Sequence, residues 1–385
     1  MRLLTTIIKA ITNKRDTSAI RIGTGIGVRI GVRNAISGLL GLILSSFVHA
    51  GINYEALSQD LEKIKPEKPI PLTFCIFDPI GQYGEAYRSA QELALEAKKW
   101  NLDVTLKHYS SENVATEDFK AGQCEGVAIS TLRAKQFNLF MGSIDSIGSI
   151  PDKDHMRTLL HTLANPKILP YTISGKYQIL GVLPLGAAYV FVNDRNIDSV
   201  EAAAGKKIAV LGWDPSQSEM VKLMGGSPVA SNISNFGTKF NNGVVDIIVA
   251  PALAYQPFEL YRGLGDKGGI YRFPVAWITG AIVINREAML QKFPDMDQQI
   301  LAMRDYALAG LEDVFERLDK VENEVADKHW MELSPEDKEK YTMMMREVRI
   351  QMTKKGFYDP RMMSILKRVR CSHNPGNAEC TMDDE

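Results

Sequence analysis

The sequence has few of the features that mark the common classes of enzyme. Its four cysteines lack the spacing of a metal site, and His155 and His161 are six residues apart, which does not place them on one helical face. It has no nucleophile elbow, and no serine or cysteine stands beside a convincing base. Low-complexity tracts and blocks of like charge are also missing, which excludes a disordered or fibrous protein. We therefore predict neither an enzyme nor a cofactor.

Basic residues are outnumbered by acidic ones beyond the first fifty residues. The 385 residues include 45 Lys and Arg against 46 Asp and Glu, for a net charge of -1. Residues 1–50 have a net charge of +6, so the other 335 residues have a net charge of -7. Binding to nucleic acid requires clustered cations that neutralise phosphates. We predict no nucleic-acid partner.

The apolar run near the N-terminus is shorter than the roughly 20 residues of a membrane-spanning helix. A basic lead ends at Arg33, a mostly apolar run covers residues 35–47, and Val48-His49-Ala50 precedes a polar start. This order predicts that residues 1–50 are a signal region, with the signal at about 32–50 and cleavage after about Ala50. The alternative is an uncleaved membrane anchor. Translation that starts at Val28 or Val32 would explain why so many polar residues precede the signal. The chain is therefore predicted to be exported from the cytoplasm.

Export to an oxidising compartment makes disulfides the natural use of four cysteines. Cys371 and Cys380 bracket a turn-rich loop close to the last residues of the chain, and we predict a disulfide between them. Cys75 and Cys124 lie in or beside predicted strands, and whether they pair is left open.

Apolar strand patterns alternate with helical ones over most of the chain, which predicts parallel sheets with crossover helices. The predicted strands are 72–77, 104–106, 126–129, 189–192, 207–211 and 244–249, and the predicted helices between them are 83–100, 116–121, 200–203, 216–224 and 235–242. The pattern occurs twice, so we predict an α/β fold with two lobes. Lobe I comprises residues 72–185 plus 275–305 and lobe II residues 186–274 plus 306–370, with an N-terminal segment and linker over 51–71 and a tail over 371–385.

The last third of the chain is predicted to be helical. Apolar residues recur at helical spacing from Asp295 to about Asp327, which predicts one helix of roughly 50 Å that crosses both lobes. Ser334 before Pro335 predicts an N-cap and a second helix that ends near Lys355. The segment 263–268 has the glycine spacing of a dinucleotide loop but leads into an extended segment, so it predicts a surface turn.

The candidate binding residues follow from where strands end and helices begin, since ligands collect at these junctions in open α/β sheets. An aromatic ring can cover a ligand and an arginine can pair with an anion, which makes Trp213 the strongest single candidate. The candidate ligand-binding set is Asp78, Gln82, Tyr83, Arg133, Tyr189, Trp213, Asp214, Gln217 and Asn235. For Arg133 a solvated helix position is the alternative, and for Tyr83 simple packing on its own helix.

Three segments resemble the solute-binding proteins of TRAP transporters (DctP type). Residues 118–127 look like the family's passage from helix to strand, 205–210 are similar to its G-x-K-I-R-V strand, and 241–246 match its x-x-G-x-V-D turn. A closer resemblance is to the uncharacterised solute-binding proteins that include the AdeT group, which is described as an efflux-associated resistance factor. The resemblance implies a location in the periplasm, a periplasmic-binding-protein fold of two lobes, type II-like, and a small-molecule ligand.

One position departs from the resemblance. The arginine of the family's G-x-K-I-R-V strand grips an organic carboxylate, and here that position is Ala209, which has neither charge nor hydrogen-bond donor. Arg133 is the candidate to substitute from the opposite lobe. The alternative is a ligand that is larger, less acidic or absent. The candidate ligands are an organic acid, a siderophore or a drug-like molecule, and the candidate partner is a membrane transporter.

The alternative function is an envelope accessory protein that acts through protein partners such as the subunits of an RND-type efflux pump. The lost arginine and the resemblance to the AdeT group motivate it. Methionines of the C-terminal helices would supply an adaptable apolar surface. They are Met343, Met344, Met345, Met352, Met362 and Met363. Methionines at helical spacing are more often part of a core.

Overall fold

The alternation of strands and helices builds one mixed sheet with helices packed on it. The computed structural model describes residue 62 and residues 65–385. The predicted signal region and its cleavage site therefore lie outside the described residues.

Eleven strands of the described residues form this sheet. They are β1 (Ile70–Phe77), β2 (Leu102–Tyr109), β3 (Gly126–Ser130), β4 (Ile173–Ser174), β5 (Tyr177–Val192), β6 (Lys207–Leu211), β7 (Ser227–Ser231), β8 (Ile247–Pro251), β9 (Gly269–Tyr271), β10 (Ala276–Asn285) and β11 (Trp330–Met331). The main order is β2-β1-β3-β10-β5-β8-β6-β7, with β4 and β9 also pairing with β5, and β11 with β9. β1, β2 and β3 are parallel to one another, as are β6, β7 and β8.

The two parallel groups run in opposite directions because β10 and β5 lie antiparallel between them. At the end of β3, Ser130 pairs with Gly280 of β10, which in turn pairs with Leu183 of β5. At the end of β8, Pro251 pairs with Ala188 of β5. The carboxyl ends of both groups thus converge on the middle of β5, between Leu183 and Ala188. This is the edge at which ligands gather in open α/β sheets.

Helices connect and cover the strands. They are α1 (Glu85–Ala97), α2 (Glu112–Lys120), α3 (Thr131–Ala134), α4 (Leu139–Gly142), α5 (Lys153–Ala164), α6 (Val200–Ala203), α7 (Pro215–Leu223), α8 (Phe236–Asn241), α9 (Tyr261–Leu264), α10 (Arg286–Lys292), α11 (Met296–Ala309), α12 (Leu311–Asn323), α13 (Pro335–Lys354) and α14 (Pro360–His373), with 3₁₀ turns at Lys98–Trp100, Pro166–Thr172, Ala252–Ala254, Asp327–His329 and Ala378–Thr381. Ser334 caps α13 by accepting a hydrogen bond from Asp337 N at 3.0 Å, as the sequence predicts.

The prediction of one helix over residues 295–327 is wrong. α11 ends at Ala309 and α12 begins at Leu311, with Gly310 between them. Glycine disfavours a helix interior by about 1 kcal/mol relative to alanine, so the break falls where the continuous helix is weakest. The buried residues of the two helices also differ: Met296 and Ile300 of α11 belong to a small satellite cluster, whereas Phe315 of α12 packs in the main one.

The methionine row is mainly core, as the commoner interpretation predicts. Met345, Met352, Met362 and Met363 are buried in the main cluster, whereas Met343 is 66% exposed. The row therefore offers little of the apolar surface that the partner-binding alternative would use.

The described residues contain two disulfides, one that closes a long loop and one that closes a short loop. Cys371 pairs with Cys380, as the spacing predicts, and Cys75 of β1 pairs with Cys124, which precedes β3. Cys75 and Cys124 are both buried in the main core. The disulfide between Cys75 and Cys124 thus fixes the connection from α2 to β3 against β1.

The described residues form one compact unit. β5 and β10 are the strands shared by the two parallel groups. The boundaries of the two lobes stay a prediction.

Candidate functional site

The residues that follow β3 and β6 meet at the converging carboxyl ends. In a flat sheet about 19 Å would separate these strands, since four spacings of about 4.8 Å lie between them. Yet the guanidinium carbon of Arg133, just after β3, lies 3.8 Å from the centroid of the Trp213 ring, just after β6. The sequence brought both residues forward as candidates, and the structure places them in contact.

Arg133 is held in place by the polar groups of the neighbouring strand ends. Its residue is 8% exposed, so it is not a solvated helix position. Its Nε lies 3.4 Å from Glu112 Oε2, and its Nη1 lies 3.5 Å from Asn113 Oδ1. Glu112 Oε1 also accepts a hydrogen bond from Ser130 N at 2.8 Å. Burial raises the pKa of Glu112, while the hydrogen bonds of Ser130 and the charge of Arg133 oppose that rise.

A second pair of contacts crosses the same gap beside Arg133. Lys135 Nζ donates to Ser216 Oγ at 2.9 Å and lies 3.7 Å from Asp214 Oδ2. Asp214 caps α7 through Oδ1, which accepts from Ser216 N at 2.9 Å. Burial lowers the pKa of Lys135, against the charge of Asp214, which raises it. The Lys135 ammonium also lies 5.3 Å from the ring centroid of Tyr358.

These contacts border a pocket of about 250 Å³. It is lined by Leu132, Arg133, Lys135, Gln136, Trp213, Asp214 and Pro215. Asp214 Oδ2 is buried and has no hydrogen-bond partner among the described residues. The pocket lining therefore combines an aromatic ring, two cations and a buried carboxylate oxygen that forms an ion pair with Lys135 but accepts no hydrogen bond from the described residues.

A buried polar chain lies directly behind the pocket. Thr131, the residue next to Leu132, accepts a hydrogen bond from Thr279 Oγ1 at 2.6 Å, and Thr279 Oγ1 lies 2.7 Å from Asp145 Oδ1. Asp145 Oδ2 accepts from Thr279 N at 3.1 Å. Burial raises the pKa of Asp145 to about 7, and its hydrogen bonds to Thr279 oppose that rise. When Asp145 is protonated, its hydroxyl can donate to Thr279 Oγ1, and the hydroxyl of Thr279 donates in turn to Thr131 Oγ1.

Stability is expected to fall by about 2 kcal/mol between pH 5 and pH 7 because of Asp145. Its folded pKa of about 7 lies above the unfolded value of about 3.9, so the folded state holds a proton that the unfolded chain has released. The neutral variant Asp145→Asn should remove this slope. Urea unfolding at several pH values measures it. The exposed Asp305→Asn is the control and should keep the slope; a slope that persists in Asp145→Asn would contradict the assignment.

Three other predicted residues lie in the turn between β1 and α1 and do not line the pocket. Asp78 is buried and accepts hydrogen bonds from Ile80 N and Tyr87 N, both at 3.0 Å, so it closes this turn. Gln82 is exposed and Tyr83 is 89% exposed. The carboxylate of Asp78 serves the fold, and Tyr83 projects into solvent.

The remaining predicted residues have partners of their own. Gln217 Oε1 accepts from Leu211 N at 2.8 Å at the end of β6, beside Trp213. Asn235 exchanges hydrogen bonds with Asn232. Tyr189 is buried, donates to Glu322 at 2.7 Å and lies outside the pocket lining. Burial, with Glu322 as hydrogen-bond partner, raises the pKa of Tyr189 far above its ordinary value.

Sequence reasoning missed Glu112 and Lys135. Glu112 begins the helix that follows β2, three residues beyond the last residue of that strand, so the strand-end rule could have found it. Lys135 lies beyond the short helix α3, and no local signal shows that it reaches Ser216, 81 residues later in the sequence. Ala209 lies on β6 opposite Val229, half-buried against the main core.

A larger pocket of about 360 Å³ lies at the glycine-rich segment 263–268. Its lining includes Gly265, Gly268, Arg195 and His329. This segment ends α9 and leads into β9, so it is a turn, as the sequence predicts. We place the candidate site in the smaller pocket, since that one lies where the strand ends converge.

Neither a metal centre nor a membrane span is found in the described part of the chain. Within it, His, Cys, Asp and Glu side chains form no group of three or more that could hold a metal ion. No helix there combines the length and the apolarity that crossing a bilayer requires.

Comparison with known proteins decides the family. The model of the family described as "Solute-binding protein AdeT 1/2" matches residues 90–385. The chain belongs to this family. It is 42% identical over 310 residues to the probable solute-binding protein AdeT1 of Acinetobacter baumannii, covering 80% of this chain and all of that protein. AdeT2 of the same organism is 29% identical over 63% of this chain and 99% of that protein. This AdeT-family chain thus belongs with solute-binding proteins and not with enzymes.

The AdeT-family chain has the fold of TRAP periplasmic solute-binding proteins. The protein from Ralstonia eutropha H16 with bound (S)-2-acetolactate aligns with a TM-score of 0.63 at 13% identity, covering 78% of this chain and 99% of that one. The protein from Shewanella oneidensis with bound succinate aligns with a TM-score of 0.62 at 14% identity, with the same coverage. The predicted α/β, two-lobe fold class is confirmed.

Proposed function

We propose that this chain is an exported periplasmic receptor that captures a small molecule in the pocket between the ends of β3 and β6. The observation that carries the proposal is the contact of Arg133 with Trp213, because these residues come from the two parallel groups and border the same pocket. A ligand held there would touch both groups at once. Such a contact couples binding to closure of the two lobes.

The hinge of this motion is proposed to lie in β5 and β10 where the strand ends converge. The pairing of these strands is irregular between Ile278 and Thr279 of β10. The facing stretch of β5 contains Pro184, which cannot donate to the sheet, and Gly186, whose φ of +118° favours glycine. A strand pair that is already irregular there can absorb a change of backbone angle more easily than a regular one.

In this proposal Arg133 and Trp213 are the principal contacts, with Asp214 and Lys135 completing the pocket. Arg133 supplies the hydrogen-bond donors that Ala209 lacks, and the Trp213 ring orients its guanidinium. Asp78, Gln82, Tyr83, Tyr189, Gln217 and Asn235 support the surrounding fold or reach the ligand only if the lobes move. A membrane transporter is the proposed partner, in keeping with the TRAP-type fold.

Ligand binding is expected to raise the melting temperature and change the fluorescence of Trp213. A ligand at one hundred times its Kd stabilises a protein by about 2.7 kcal/mol, or several degrees. Thermal shift over a broad panel of metabolites identifies the ligand, and fluorescence titration follows it. Trp213→Phe should abolish the fluorescence change and Trp100→Phe should retain it. If no compound stabilises the protein and native mass spectrometry finds no co-purified molecule, the receptor proposal fails.

The efflux accessory role is the second candidate. The observation in its favour is that Arg133 covers one face of Trp213 and occupies part of the space that a ligand would use. Most of the methionines that this role would use as a contact surface are buried in the core, which weakens this second candidate. Cross-linking in the cell envelope that recovers pump subunits would support it.

A further inference from the structure

Each cation of the pocket already has an anion of its own. Arg133 lies against Glu112, with 3.4 Å between Nε and Oε2, and Lys135 lies 3.7 Å from Asp214 Oδ2. The side chains of Arg133 and Glu112 are 9% and 5% exposed, and those of Lys135 and Asp214 are 13% and 7% exposed. At such burial, charges are poorly screened by solvent. The four groups therefore sum to zero, and the pocket has no surplus of positive charge for an anionic ligand.

Asp214 sets the polarity of the pocket. One of its oxygens, Oδ1, is satisfied by Ser216 N and Ser216 Oγ, but Oδ2 has no hydrogen-bond partner among the described residues, and Lys135 is too distant to donate to it. A buried oxygen left without a donor costs free energy, so it favours a ligand that brings one. A free acid would instead place a second carboxylate beside this one, and like charges at short distance repel.

Ala209 does not offset this repulsion. An arginine at that position would add one positive charge, but alanine adds none. The guanidinium of Arg133 has five donors, of which Glu112 and Asn113 take two, at 3.4 and 3.5 Å. It can therefore still bind a carboxylate, provided that the ligand also brings a positive charge of its own, because the four charged groups already balance and an added anion alone would leave the pocket with a net negative charge.

We propose that the ligand of this pocket is a small zwitterion of amino-acid type, whose ammonium binds Asp214 Oδ2 and whose carboxylate binds Arg133. The inference rests on the proposed receptor function and adds the ligand class. The ligand's two charges match the internally balanced charges of the pocket, and an aliphatic or planar side chain lies against Trp213. The cavity of about 250 Å³ is smaller than the roughly 300–1,000 Å³ of sites for drug-sized ligands. Siderophores and large drugs are therefore a poor fit.

The test compares amino acids with organic acids and amines of the same carbon skeleton. Thermal shift and isothermal titration with the twenty L-amino acids, their deaminated acids and their decarboxylated amines are expected to show at least one amino acid that binds ten- to a hundredfold more tightly than its matched acid and amine. Asp214→Asn keeps the N-cap of α7, since asparagine caps as well as aspartate. It should weaken binding of that amino acid about ten- to a hundredfold, as loss of a hydrogen bond to a charged group does.

The control variant is Asp198→Asn, which removes an exposed carboxylate outside the pocket lining and should leave affinity unchanged. Tighter binding of acids than of amino acids, or an Asp214→Asn variant with unchanged affinity, would overturn the zwitterion assignment and leave the receptor function standing. Failure of every amino acid to bind, while native mass spectrometry detects another co-purified molecule, overturns the assignment alone. Failure of both measurements overturns the assignment together with the receptor function.

Discussion

Replacing Cys75 and Cys124 together by alanine is expected to lower the free energy of unfolding by about 4 kcal/mol. The disulfide closes a loop with a sequence separation of 49 residues, and such a cross-link removes that much loop entropy from the unfolded chain in the chain-entropy model. Reversible urea unfolding, followed by circular dichroism without reductant, measures the loss.

The matched control is the alanine pair at Cys371 and Cys380. This disulfide has a sequence separation of only 9 residues, so its removal is expected to cost about 2.6 kcal/mol, or about 1.5 kcal/mol less. Equal losses for the two pairs would show that loop length does not control the stabilisation. A loss below 1 kcal/mol for the buried pair at Cys75 and Cys124 would contradict the prediction.

Replacing Arg370 by methionine is expected to destabilise the protein by about 3–5 kcal/mol, because it leaves buried carboxylates without their cation. Arg370 donates two hydrogen bonds of 2.9 Å to Glu379, and a third of 2.9 Å to Glu385. Arg349 binds the same Glu385 from the other side at 2.6 Å. Urea unfolding at pH 7 measures the loss. Arg368→Met, an exposed position two residues earlier on the same helix, should change stability by less than about 0.5 kcal/mol.

The Arg370→Met variant is also expected to change how the stability of the protein depends on pH. Burial alone would raise the pKa of Glu379, but hydrogen bonding to Arg370 and the charges of Arg370, Arg349 and Arg346 lower it below the ordinary value. A lowered carboxylate pKa contributes stability above the unfolded value of about 4.3, and this stability disappears as the pH falls through the folded pKa. Wild-type protein should therefore lose stability below about pH 4, and Arg370→Met should lose less. Parallel losses in both would show that Glu379 is not the titrating group.

The strands and caps were predictable because their signals are local. The strand at Lys207–Leu211 and the helix at Val200–Ala203 match their predicted bounds, since apolar runs and capping residues act over a few neighbours. The long helix failed at Gly310, where apolar periodicity continues but the backbone preference of one glycine interrupts it. Periodicity alone does not weigh that preference.

The candidate site was predictable in part for the same reason. The strand-end rule led to Arg133, Trp213 and Asp214, which the structure brings together. It also selected Tyr83 and Tyr189, whose surroundings depend on residues far away in the sequence. The link from Lys135 to Ser216 depends on how β5 and β10 align the two parallel groups. The alignment of strands that lie far apart in the sequence cannot be read from the local pattern of apolar and polar residues.

The long strand β5 has a further consequence for cooperativity. It contributes backbone hydrogen bonds to β10 in its first part and to β8 and β9 in its last, so the two parallel groups share one ladder. One group is joined to β5 through β10, and the other is joined to it through β8. The loss of either group therefore leaves β5 with fewer pairing strands, and the remaining group depends on β5 for its own place in the sheet. We therefore expect the two halves to unfold together in one cooperative transition.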